Sequence, residues 1–373
     1  MALTEQEKLA LIKINSFSYL RADWANRLLE IFGSAENILK QDARTLSEEG
    51  KISLETAERF LKNTSALDAQ AEMDKTFKAG GKIIFKGQSD YPQSLLSIKE
   101  PPLALYVRGT LNAEEVATVG MVGTRKITPY GRRACSRLAE DLAQCGVILV
   151  SGLARGIDSI VHAQAVKNGK PTWALVGTGI GRCYPAENRD LARAIIDNGG
   201  AVISELPFDA PPLAQHFPRR NRLIAGLSRL VVVVEGESKS GALITAKMAL
   251  EQGLDVLAVP GPIDSPQSEG TNRLIKQGAA MVMDARDIID AMPLNLKLGL
   301  NTKKLYNEEK PQTDNFTEPE LLLLNLIGEG SKTIDDLALQ TDMEISEIAG
   351  ILFNLEINSV VYCADGKYSK NKF

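Results

Sequence analysis

Two histidines and four cysteines are all that this chain of 373 residues offers to a soft or borderline metal ion. His162 and His216 stand near no cysteine pair, and Cys135, Cys145, Cys183 and Cys363 are scattered without CxxC spacing. A structural zinc site needs four such ligands at close spacing, so none is expected, and the thiols are read as reduced and unpaired. Long apolar runs are missing too. No stretch approaches the roughly 20 residues needed to span a bilayer. The opening "MALTEQEKLALIK" puts Glu5, Glu7 and Lys8 where a signal peptide would carry its apolar segment, which points to a cytoplasmic protein without a membrane anchor. Repeats and low-complexity tracts are absent. What is present, 44% hydrophobic and 24% charged residues, is the balance of a soluble globular chain, long enough for two or three domains.

The formal net charge is -4, yet residues 215–230, "QHFPRRNRLIAGLSRL", carry four arginines, one phenylalanine and no acid. The place of that stretch in the chain decides its meaning. Residues 1–78 alternate helical periods with caps, as in "RADWANRLLEIFGSAENILK", and predict a small all-helical domain of helix-hairpin-helix type with Trp24, Leu28 and Phe32 on its core face. Residues 79–294 change to short apolar runs, each followed by small residues and a helical period. Strands are predicted at 117–123, 147–152, 172–177, 201–205, 229–236, 255–261 and 279–284. Runs without a polar face that alternate with helices imply an α/β domain with a mostly parallel, doubly wound, Rossmann-like sheet. Residues 295–316 read as a linker. Residues 317–373 have the order of a winged helix, three helices and an Asp-Gly hairpin.

Ligands of doubly wound sheets bind at the carboxyl ends of the strands. There "GMVGTRKITPYGRR" puts Gly123, Thr124 and Arg125 in the first strand-to-helix turn, where free backbone N–H groups beside a guanidinium suit an anion. In the second turn, "SGLARGIDSIVHAQAV", Asp158 is expected to serve the helix dipole and His162 to be packed or capping. The third, "GTGIGRCYPAEN", has GxGxG spacing where a dinucleotide fingerprint needs GxGxxG, so no nicotinamide cofactor, and no cofactor of any kind, is expected. After the strand "RLVVVVEG", Lys239, Ser240 and Gly241 form one more small-residue turn. Several such turns along one edge, with Arg219, Arg220 and Arg222 nearby, suit a row of phosphates, and Phe217 offers a face for a base. The competing reading is a solvated helix face with Phe217 in the core.

The segments "VGTRKITPYG", "SGLARGIDSIVH", "GTGIGRCYPAENRDL", "SELP", "FPRRNRLIAGLS", "VVVVEGESKSGALITA", "VPGPIDSPQSEGTNRLI" and "QGA" stand in the order found in the DprA family (DNA processing protein A, or Smf), which this chain resembles over residues 85–285. The resemblance implies an extended Rossmann-like domain that binds single-stranded DNA, loads RecA onto it and protects incoming DNA in natural transformation, without catalysis. It also implies a homodimer through the central domain, a SAM-like N-terminal domain and a winged-helix C-terminal one. By position, the family's Gly-Ser/Thr-Arg turn falls on Gly123, Thr124 and Arg125, and its basic stretch on Phe217, Arg219, Arg220, Asn221 and Arg222, with Phe217 on the base-contacting aromatic. The helix "SIVHAQAV" departs from the family around its histidine. The alternative is a nucleotide phosphoribohydrolase similar to the LOG family, but its PGGxGTxxE signature would need a glutamate that "EGESKSGALITA" lacks after its second glycine.

Overall fold

Residues 230–234, "LVVVV", have no polar face, so a strand built from them must be covered on both sides. The computed structural model describes residues 3–17, 22–306, 316–328, 330–357, 360–364 and 366–370. Six helices come first: α1 (Glu5–Asn15), α2 (Ala22–Phe32), α3 (Ala35–Leu39), α4 (Ala43–Gly50), α5 (Leu54–Ala66) and α6 (Ala69–Lys78). The central domain then runs β1 (Gly81–Phe85), β2 (Ala104–Gly109), β3 (Thr118–Val122), α7 (Pro129–Gln144), β4 (Ile148–Ser151), α8 (Ile157–Lys167), β5 (Thr172–Leu175) and α9 (Arg189–Asp197). It continues with β6 (Ala201–Ser204), α10 (His216–Gly226), β7 (Leu230–Val233), α11 (Gly241–Glu251), β8 (Asp255–Ala258), α12 (Pro266–Lys276), β9 (Ala280–Met281) and α13 (Ala285–Asp290).

These strands form one nine-stranded sheet in the order β1-β2-β6-β5-β4-β3-β7-β8-β9. From β6 to β9 neighbouring strands are parallel, whereas β1 and β2 join antiparallel at one edge. Alternation along β7 explains its composition: Leu230 and Val232 enter a core shared with α7, α8 and α13, while Val231 and Val233 enter another shared with α10 and α11. Each of the seven predicted strand segments contains one strand, β3 to β9. The sequence reading missed β1 and β2, whose apolar runs precede no helical crossover.

In the N-terminal helices, Ser34, Asp42, Ser53 and Asp68 accept the N–H groups of Asn37, Thr45, Thr56 and Ala71, closing the helix starts. Trp24 and Leu28 are buried, and Phe32 packs half-buried on the same core, which also takes in Phe85, Leu103 and Ala104. The helical domain is thereby fastened to the β1–β2 edge. Asn15 of α1 donates to the Glu205 carbonyl at 2.8 Å, tying it to the end of β6 as well.

The expected linker 295–316 begins too early. Helices α14 (Leu294–Lys297) and α15 (Lys303–Tyr306) follow α13 directly, and Leu296, Leu300 and Leu305 pack against the core of the sheet. Apolar residues four or five apart were hidden there among polar neighbours. Residues 307–315 of that segment lie outside the described residues. The chain divides into Met1–Leu305 and Tyr306–Phe373. The second unit holds α16 (Glu318–Gly328), α17 (Ile334–Gln340), α18 (Ile345–Ile357) and the antiparallel pair β10 (Val361–Ala364) and β11 (Lys367–Lys370), around Leu323, Leu337, Ile348 and Leu352. Among the described residues no helix is long and apolar enough to cross a membrane, and no His, Cys, Asp and Glu cluster is placed to hold a metal ion.

Candidate nucleic-acid interface

The order of the sheet reverses between β3 and β7, and doubly wound sheets bind their ligands at such a reversal. A cleft of about 610 Å³ opens there. The loop after β3 brings Gly123, Thr124, Arg125 and Lys126 to it, α10 brings Phe217, Arg220 and Asn221, and the turn after β7 brings Ser240 and Gly241. Tyr184, on the loop after β5, completes the wall. Arg219, Arg222 and Lys239 are not part of that wall.

Helical periodicity sorts the arginines of α10. Phe217, Arg220, Asn221 and Ile224 fall at i, i+3, i+4 and i+7 and share the cleft side. Arg219 and Arg222 are three apart on another side, where Arg222 forms a buried ion pair with Glu205 and Arg219 stands 3.6 Å from the same carboxylate. Arg229, beyond the helix, pairs with Glu115 at 3.2 Å. Arg220 is itself only 5% exposed. Its Nη1 donates to the carbonyls of Gly152, at 2.7 Å, and Leu175, at the ends of β4 and β5. The picture of Arg219, Arg220 and Arg222 all aimed at phosphates is corrected accordingly. Arg222 is committed to Glu205, and Arg220 is a strut forming the floor of the cleft.

The first turn also departs from expectation. Helix α7 begins six residues after Gly123, with Thr128 as its cap. Thr128 Oγ1 accepts from Gly131 N–H, and the buried Glu235 carboxylate accepts from Thr128 N–H at 3.1 Å. An acid of the chain itself thus occupies the place foreseen for an anion. Helix α11 behaves differently: its cap residue Ser240 makes no side-chain capping bond, and Ser240 Oγ, though buried, has no hydrogen-bond partner among the described residues. Gly241 and Ala242 open the helix on the cleft wall. The uncapped start of an eleven-residue helix therefore turns unclaimed N–H groups and the positive end of its dipole toward this cleft, an arrangement suited to an anion. Arg125 and Lys126, both exposed, supply mobile charge opposite it.

Phe217 is half-buried, with its ring backed against the main chain of Gly177. A Cβ on Gly177 would lie 2.7 Å from Phe217 Cδ1, so glycine alone lets the ring sit there. The Tyr184 ring lies 5.5 Å away, tilted by 48°, and the Arg125 guanidinium carbon stands 5.6 Å from the Phe217 centroid. Two aromatic faces and a cation thus share one wall. Tyr184, 42% exposed, was missed in the sequence reading, as was Lys126; "CYP" after a glycine turn and the "RK" pair were the available signals. The glycines of "GTGIG" serve packing. A Cβ on Gly179 would meet the Phe208 carbonyl at 2.1 Å and one on Gly181 the Phe208 ring at 2.4 Å, which leaves no pyrophosphate cradle.

Asp158 is buried in the first turn of α8 and accepts from Ala154 N–H at 3.3 Å. Burial raises its carboxyl above the ordinary range, and the neighbouring Arg220 guanidinium opposes that shift. Burial brings Arg220 down to about 10, still charged at neutral pH. His162 is fully buried, 2.9 Å from Thr172 Oγ1. The Thr172 proton goes to the Leu149 carbonyl, so His162 Nδ1–H is the donor to Thr172. Burial and the Arg220 charge push its pKa down to about 3. Unfolding restores an ordinary histidine, which takes up a proton that the native state refuses. Between about pH 6.5 and pH 3 this residue should therefore remove about 1.4 kcal/mol of stability per pH unit of acidification. In urea unfolding at pH 7, 6 and 5, His162→Asn should show a shallower decline of stability with acidity than the parent; equal slopes would contradict this.

A doubly wound sheet with a cleft at its reversal, walled by aromatics, an open helix start and mobile cations, defines a Rossmann-like ligand-binding protein, here carrying a winged-helix domain. A family profile described as DNA recombination-mediator protein A matches residues 82–293, and one described as DprA winged helix domain matches residues 307–367. The chain belongs to the DprA/Smf family. Protein Smf of Escherichia coli (strain K12) is 35% identical over 360 residues, covering 96% of this chain and 94% of that protein. The X-ray structure of DNA processing protein A from Streptococcus pneumoniae superposes with a TM-score of 0.66 at 31% identity, covering 79% of this chain and 99% of that one. The protein of the same name from Helicobacter pylori, whose structure was described for its single-stranded DNA binding mode, gives 0.51 at 29% identity, covering 56% and 94%.

Proposed function

We propose that this chain is a non-enzymatic, cytoplasmic single-stranded DNA-binding protein that shelters incoming DNA and loads RecA onto it during natural transformation and recombination. The carrying observation is one cleft that joins the Phe217–Tyr184 aromatic pair to an uncapped helix start and to Arg125 and Lys126. Bases stack on the rings whatever their identity, while phosphates meet N–H groups and cations; few side chains there could read base edges. The relatives' names and the H. pylori binding mode support this reading. Titrated with single-stranded and duplex oligonucleotides over a range of salt, the protein should prefer the single strand. Its log K should fall by about 0.7 per phosphate contact for each tenfold rise in salt. Equal affinity for duplex, or a flat salt response, would overturn the assignment.

The hydrolase alternative is disfavoured by what the two acids lining the cleft do: Asp158 is tied to Ala154 N–H beneath Arg220, and the exposed Glu237 accepts from Gln267 Nε2 at 3.3 Å. Release of base from nucleoside monophosphates would restore it. Homodimerisation through the central domain fits β9, the last strand of the sheet, where Met281 is 46% exposed and Met283, just beyond the strand, 71%. RecA loading is read from strand pairing by RecA with and without the chain.

The winged-helix domain is proposed as a protein contact and not a DNA reader. From 318 to 356 it carries Glu318, Glu320, Glu329, Asp335, Asp336, Asp342, Glu344, Glu347 and Glu356 against Lys332 alone, and α18 has neither lysine nor arginine. A helix entering the major groove approaches two rows of phosphates, which such a surface repels. Because Leu300 and Leu305 belong to the first unit, the cut that tests this removes residues 307–373. Single-strand affinity should then stay within a few-fold of the full chain. A large loss with an intact dimer by light scattering would make the domain a DNA-binding element.

A further inference from the structure

Tyr184 is not the end of the cationic surface. On its other side a second groove of about 640 Å³ lies against α9, over an apolar floor that includes Val176, Ile180 and Val202. Its walls carry Arg108, Arg182, Arg189 and Arg193, and no acid. Tyr184 and Pro212 line both grooves, so the second continues the first around the tyrosine ring. The four guanidinium groups come from separate places: Arg108 from β2, where it sits opposite Val202, Arg182 from the loop after β5, and Arg189 and Arg193 from one side of α9.

Little among the described residues neutralises them. Arg182 gives its Nε to the Asp209 carbonyl at 2.7 Å, a neutral acceptor. Arg193 stands 3.8 Å from Asp190, between side chains 70% and 96% exposed, an arrangement worth little in water. Four like charges around one groove repel each other, and a polyanion laid among them removes that repulsion. A free mononucleotide would need neither four cations nor continuity with the neighbouring cleft. We propose that this groove is a second subsite for single-stranded DNA, in which the strand leaving the Phe217 cleft turns past Tyr184 and lays its phosphodiester backbone on the four arginines.

This inference rests on the strand-binding assignment above, and a length series separates the two. Oligodeoxythymidines of increasing length are titrated against the full chain and against the double variant Arg189→Ala, Arg193→Ala, which changes exposed positions of a helix to its best former. Arg132→Ala, Arg133→Ala on α7, likewise exposed and part of neither lining, is the charge-matched control. For the parent, affinity should rise with length until both grooves are filled. The α9 variant should match the parent on the shortest oligonucleotides that bind and lose the later gain. Its salt slope on long strands should flatten by about 1.4, at about 0.7 for each of two phosphate contacts. The control should change neither. The inference is overturned if the α9 variant keeps the parent's length dependence and slope, if it weakens short and long strands alike, or if the control behaves the same way. If the parent binds no oligonucleotide of any length, the strand-binding assignment itself falls.

Discussion

Arg220→Ala should cost the protein about 3–5 kcal/mol of folding stability, because it removes one partner from a buried, charge-bearing arrangement. Its guanidinium closes the carbonyls of Gly152 and Leu175 at the ends of two central strands and faces Asp158 across Gly152. A Cβ on Gly152 would lie 2.6 Å from both Arg220 Nη2 and Asp158 Oδ2, which shows how closely the two groups meet there. With alanine in place of arginine, two strand-end carbonyls lose their donor and Asp158 stays buried without its countercharge. The urea midpoint should fall steeply with little change in slope, and the second change Asp158→Ala should restore part of the loss. An unchanged midpoint with weakened DNA binding would make Arg220 a DNA ligand instead of a strut. The combined loss of Arg219 and Arg220, attractive from the sequence as a test of binding, would for this reason mix binding with stability. Arg125→Ala is the cleaner probe of phosphate contact, since that side chain is exposed.

Phe217→Ala should weaken single-strand binding by about 1–3 kcal/mol, from roughly fivefold to more than a hundredfold, and leave the salt slope nearly intact. The ring carries no charge and so releases no counterion on binding, while its face lies beside Tyr184 and Arg125, where a base could stack. A second route to the same result keeps the benzyl group: Gly177→Ala places a methyl 2.7 Å from Phe217 Cδ1 and must push the ring from its seat. Gly177 does not have a positive φ, so its backbone accepts alanine. Both variants should lose affinity, and Phe217→Tyr should keep most of it. Should Phe217→Ala lower the urea midpoint while the folded fraction binds as before, Phe217 would be a core residue that merely borders the cleft.

How much of this was legible beforehand differs from element to element. Strands β3 to β9 could be read because each is a short apolar run with no polar face, a local property that survives in one dimension. The edge strands β1 and β2 could not, since antiparallel additions need no crossover helix to mark them. Helices α14 and α15 were read as linker because their apolar residues are sparse and find their meaning only against the sheet core. The Gly123–Arg125 turn and Phe217 were singled out from residue type and position, and the fold sets them on one cleft wall. Tyr184 was passed over, because its value depends on a neighbour 33 positions later in the chain.

The sequence by itself determined the fold class, the family, the edge of the sheet that carries the site, and the acidity of the winged-helix domain. All of these follow from residue types and their order. Only the tertiary structure decided which cations face solvent. The arginines of "FPRRNR" are alike in composition, but a turn of 3.6 residues points them in different directions, and the acid that claims Arg222, Glu205, comes from the loop just after β6. Likewise Glu235, remote from α7 in sequence, fills that helix's start, while Ser240 leaves the start of α11 open. Charge pairing acts through space and falls off within a few ångströms. The chain specifies how many guanidinium groups exist, and packing alone assigns each to a carboxylate, a carbonyl or the open cleft.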